Sequence, residues 1–128
     1  LNVWLVIWPK QKIVIASATQ VAQGGQPLPE AAAAGRRAAL TSRTNVVFSI
    51  PMLFYMGAAR HYVLFGEASG AAMAGMTIIG GVIVAALEVN ALVGSQGPTK
   101  KPLDTVSGAL WAGFILTAVL NLLFLILF

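Results

Sequence analysis

Three arginines, Arg36, Arg37 and Arg43, are followed by a predominantly apolar run of 21 residues from Thr44 to Leu64. Wound as an α-helix, that run is about 31 Å long, the thickness of a bilayer's hydrocarbon core. A chain organised around such a run is expected to cross a membrane, with the basic collar on the cytoplasmic side.

Composition agrees. Of 128 residues, 58% are hydrophobic and 9% charged, which leaves little polar surface to enclose a water-soluble core. The net charge of +4 raises the question of nucleic acid, but the basic residues gather at the ends of apolar runs, so membrane orientation explains them and no nucleic-acid partner is expected. The absence of cysteine excludes disulfides, thiolate zinc, cysteine-ligated iron–sulfur clusters and a cysteine nucleophile. A single histidine excludes a bis-histidine haem held by this chain alone, and no metal site is expected.

Leu1–Trp8 is apolar but only eight residues long before Pro9-Lys10-Gln11-Lys12. It reads as the tail of a longer membrane helix, with an N-terminal portion preceding it and the exit at Pro9; the alternative is an interfacial helix anchored by Trp4 and Trp8. Ile13–Val21 suits a short surface helix, and Gly24-Gly25-Gln26-Pro27-Leu28-Pro29 a break. Glu30-Ala31-Ala32-Ala33-Ala34 opens a new helix behind Pro29, with the acid in its first turn. Two further apolar runs follow, Gly70–Leu92 and Thr105–Phe128, joined by a Gly- and Pro-rich connection.

Lys10, Lys12, Arg36, Arg37, Arg43, Lys100 and Lys101 lie in the two long loops, whereas Arg60 stands alone at the other end of its run. Loops 9–43 and 94–104 are therefore expected in the cytoplasm, with Arg60, His61 and Glu67 on the opposite side. The expected fold is an all-α integral membrane protein forming one transmembrane domain. It has three full transmembrane helices at about 44–64, 70–92 and 105–128, the end of an earlier membrane helix at 1–8 and a cytoplasmic helical loop.

Polar residues inside these spans are the functional candidates. Glu88 lies about 8 Å from the middle of its span, where an ionised group costs several kcal/mol unless paired or hydrated. It suits a proton relay, a cofactor contact or a carboxyl group bonded to a neighbouring helix. Gly70, Ala74, Thr77, Gly81 and Ala85 recur at three- and four-residue spacing on the face that ends at Glu88, a small-residue face suited to close helix packing. Depth matching gives Glu88 three candidate partners, Ser49, Asn45 and Arg43. Asn121, at the end of the stripe Ala109, Gly113 and Thr117, belongs to the opposite leaflet and reads as inter-helix glue. Pro51 kinks its span, and His61 is a candidate haem or metal ligand or a solvated interfacial histidine. No phosphate loop, HExxH or Ser/His/Asp spacing is present, so no catalytic constellation is assigned.

Two segments, Asn2-Val3-Trp4-Leu5-Val6-Ile7-Trp8-Pro9-Lys10-Gln11-Lys12 and Asn45 through Pro51-Met52-Leu53-Phe54-Tyr55-Met56, lie in an order and at a separation that resembles the membrane domain of bacterial membrane-bound urate hydroxylases, the urate oxidase N-terminal domain family. The resemblance covers about residues 1–62. It implies a multi-span domain in the bacterial inner membrane, urate oxidation coupled to electron transfer, and an associated c-type cytochrome. The chain departs from that family at Thr44, where the family carries histidine, in a His61-Tyr62 pair shifted by about one position, and in having no C-x-x-C-H motif.

Three functions are consistent with these features. The first is a small integral subunit packed within an inner-membrane respiratory or photosynthetic electron-transfer assembly, among other membrane subunits, any haem or pigment being held jointly with them. The second is a urate hydroxylase-like oxidoreductase domain, and the third a transporter using Glu88 and the Pro51 kink.

Overall fold

The computed structural model describes residues 1–61 and 69–128, and among them there is no strand. A π-helical turn, Val3–Ile7, runs into α1, Trp8–Ala22; α2 is Ala31–His61, α3 Gly70–Leu92 and α4 Val106–Leu127, with a 3₁₀ segment at Pro98–Asp104.

At the N-terminus the helix continues through Pro9: the proline sits in the first turn of α1, and the chain stays helical from Val3 to Ala22. Proline has no N–H to give and its ring crowds the carbonyl four residues back. The turn before it widens, so that the Trp8 N–H reaches the Val3 carbonyl five residues away, which relieves that crowding without a break. The short helix expected over Ile13–Val21 is thus the second half of one continuous helix.

A tight reversal returns the chain, with Gly24 at φ 84° and the Gly25 N–H donating to the Gln20 carbonyl. α1 therefore lies antiparallel on the first half of α2, pinned where the Leu28 N–H donates to Ser17 Oγ at 3.0 Å. Glu30 stands just before α2 rather than within its first turn, and its carbonyl accepts the first helical bond from Ala34.

α2 is the hub and touches every other element. It passes without interruption through Arg36, Arg37, Arg43 and the buried Pro51. Its inward threonines, Thr41 and Thr44, return their hydroxyl protons to the carbonyls of Arg37 and Leu40, so their burial leaves no donor unmatched. Leu40 and Val47 meet Leu103, Ala109 and Leu116 in the buried apolar cluster, flanked by Ile83 and Leu87 of α3. α4 lies so close to α2 that a Cβ added at Gly113 would come within 3.1 Å of Ile50 Cβ.

Two helices, α3 and α4, are long and apolar enough to cross a membrane. α2 is longer but is interrupted chemically by Asn45, Ser49 and Arg60, and the last residues of the expected 44–64 span, like Glu67, lie outside the described residues. Within the chain α3 is hardly covered: none of its most apolar 18-residue window is buried, against 22% for α4.

Candidate functional site

Where the N-terminal turn, α2 and α3 converge, three polar side chains meet. The Asn2 amide donates one hydrogen to Asn45 Oδ1 at 2.8 Å and is 3.1 Å from Glu88 Oε2. An amide nitrogen carries two hydrogens, so Asn2 serves both acceptors at once. The other carboxyl oxygen, Glu88 Oε1, is buried with no hydrogen-bond partner, and a cleft of about 350 Å³ lined by Leu1, Asn2, Val3, Asn45 and Glu88 opens beside it. An acceptor left bare in an apolar surround costs about 1–3 kcal/mol, so this oxygen is the group most ready to take a hydrogen-bond donor.

Of the three partners expected for Glu88, only Asn45 belongs to this cluster, and it does so through Asn2. Ser49 returns its hydroxyl to the Val46 carbonyl at 2.8 Å, and Arg43 donates to the Leu103 carbonyl at 2.7 Å. Asn2 was not among the candidate site residues. The signal that marks it is the one that marked Glu88, a polar side chain inside an apolar run.

The remaining candidates lie apart. Gly70, Ala74, Thr77, Gly81 and Ala85 form an exposed face of α3, and a Cβ added at Gly70 or Gly81 would meet nothing within 4 Å. Within the chain α3 instead presents Ala72, Gly75, Ile83, Leu87 and Ala91 inward or against neighbours, Gly75 lying beside Leu127. Asn121 is half-buried on α4, and His61 is exposed at the end of α2. Among the described residues no three His, Asp or Glu side chains are grouped to hold a metal.

A second polar assembly clasps the connection between α3 and α4. Arg37 donates to the carbonyls of Ala91 and Gly94, both at 2.8 Å, satisfying orphan acceptors at the α3 C-terminus where a cation also suits the helix dipole. Arg36 donates to the Ser95 carbonyl and pairs with Asp104, while Arg43 takes Leu103. Lys100 is 3% exposed and donates to Asn90 Oδ1 at 3.1 Å. Its pKa is held below the ordinary lysine value, first by burial and then by the charges of Arg37 and Arg36. The collar arginines thus act as tethers between α2 and the next loop.

The fold and site define a small helical bundle with two apolar candidate spans, an amide–carboxyl cluster and an arginine-clasped loop. No protein-family model, curated protein or solved structure matches the chain.

Proposed function

We propose that the chain is a small integral subunit of an inner-membrane electron-transfer assembly, with α2, α3 and α4 as its three spans and the arginine-clasped loop in the cytoplasm. The observation that carries this reading is the bare face of α3. Gly70, Ala74, Thr77, Gly81 and Ala85 are uncovered in a helix whose other side touches the bundle. Inside a bilayer small residues promote association because they let backbones approach, and this face has no partner helix among the described residues. Ile78, Val82, Ile115 and Ile126, each more than 60% exposed, suit lipid or another subunit and would be a liability in water. Extraction of native membranes in mild detergent, followed by native gel separation, mass identification and an optical spectrum, tests the reading. The expected result is co-migration with other membrane polypeptides and a haem or pigment band; migration of the chain alone overturns it.

A urate hydroxylase-like domain is the second reading, favoured by one contact. The two segments that carry the family resemblance meet where Asn2 bonds Asn45. In that case membranes carrying the chain should show a haem band that shifts to its reduced form on adding urate; a colourless or urate-insensitive preparation rejects it.

A further inference from the structure

We propose that the cleft at the α3–α4 connection binds the phosphodiester headgroup of an anionic phospholipid, with Arg36 and Lys101 as its cationic walls. The cleft has a volume of about 600 Å³ and is lined by Arg36, Gln96, Gly97, Pro98, Lys101 and Asp104. That is room for a phosphate with its glycerol. Arg36, Arg37, Arg43, Lys100 and Lys101 all belong to the loop clasp or line this cleft, whereas Asp104 is the one carboxylate ion-paired with them among the described residues. The carbonyl acceptors that hold the arginines satisfy hydrogen bonds without cancelling charge, so a positive excess remains at the cleft. Lys101 is exposed and makes no hydrogen bond to another described residue, so its ammonium is available to an incoming anion. Gln96, whose side chain carries an amide, also lines the cleft.

Position decides the source of the anion. The cleft lies between the end of α3 at Leu92 and the start of α4 at Val106, the two helices apolar enough to cross a membrane. It thus falls at headgroup level, where basic pockets between spans bind anionic lipids. The inference rests on the membrane-spanning reading above.

The test uses the full chain purified in mild non-ionic detergent, mixed with equal amounts of phosphatidylglycerol and phosphatidylcholine, with bound lipid counted by native mass spectrometry. The expected result is one retained lipid with about fivefold or greater preference for phosphatidylglycerol. Lys101→Gln should lower that preference about fivefold. Lys12→Gln, whose ammonium sits 5.3 Å from the Trp8 ring, should leave it unchanged. Arg36→Gln should act like Lys101→Gln, and because it also breaks the Asp104 pair, Lys101→Gln decides if Arg36→Gln does not fold. Equal retention of the two lipids, or equal loss in the Lys12 and Lys101 variants, overturns the proposal. Binding of inorganic phosphate without lipid preference assigns the cleft to a free anion and also overturns it. Carbonate extraction of the chain from vesicles is read separately: resistance supports the spanning reading, and release removes that reading and the headgroup site with it.

Discussion

Asn2 and Glu88, 86 positions apart, are joined by a 3.1 Å hydrogen bond, and the same Asn2 nitrogen is 2.8 Å from Asn45 Oδ1. One side chain near the start of the chain thus staples α3 to α2.

Asn2→Ala removes the donor from both acceptors. It should destabilise the bundle by about 1–2 kcal/mol, the range for losing a part-buried polar contact between helices. Thermal unfolding in detergent followed by circular dichroism reads the change; a midpoint identical to that of the parent chain would mean that the amide adds nothing.

Glu88→Gln keeps an acceptor for Asn2 while removing the charge, so stability and assembly should be retained. Glu88→Leu leaves Asn2 and Asn45 facing an apolar group and should cost about 1–3 kcal/mol. If Glu88 relays protons in the assembly, Glu88→Gln will abolish turnover in an intact complex; preserved turnover assigns it a structural role.

Two glycines separate folding from assembly. Gly113→Ala would place a Cβ within 3.1 Å of Ile50 Cβ and Cγ1, close to the backbone of α2, and should destabilise the isolated chain by about 1–3 kcal/mol. A Cβ added at Gly81 meets no described residue within 4 Å, so Gly81→Leu should not lower the unfolding midpoint of the isolated chain. It should nevertheless weaken association with other subunits, measured by co-purification, far more than substitution at Val82. Equal effects on association at Gly81 and Val82 would refute the packing face.

Lys100 carries a pH signature. Its folded pKa lies below the ordinary 10.5, so the unfolded chain binds more protons between the two values. The cost of burying the ammonium is full below the folded pKa and disappears as pH rises to 10.5, so stability should rise across that window. Lys100→Met should flatten the rise, as measured by denaturant titration at several pH values in detergent. An unchanged slope would place its origin in another group.

Topology is open to direct measurement. Reporter fusions at Gly25 and Gly97 should read cytoplasmic and one at Glu67 periplasmic, since seven of the eight lysines and arginines flank the first two positions. A cytoplasmic signal at Glu67 would leave α2 and α3 without the alternation that three spans require.

The amino-acid sequence alone determined the helices that depend on local information. Apolar runs of sufficient length end at Gly- and Pro-rich segments, and Ser69 and Thr105 supply N-caps whose hydroxyls accept from Ala72 and Gly108, so α3 and α4 lie within a residue or so of where the runs place them. Local patterning also picked out Glu88 and Asn45, because a polar group in an apolar run is conspicuous at any fold. Tertiary structure decided which groups meet. Depth along the sequence made Arg43 a candidate for Glu88, but it takes the Leu103 carbonyl, because the 3₁₀ segment packs against α2. Asn2 reaches Glu88 because a π-helical turn carries the chain past Pro9 without a break, a rearrangement that composition does not encode. Spacing places Gly81 and Gly113 on comparable small-residue stripes, yet only Gly113 is pressed against another helix. Periodicity tells which residues share a face, whereas the packing of α2 against α4 determines which face the chain itself can cover.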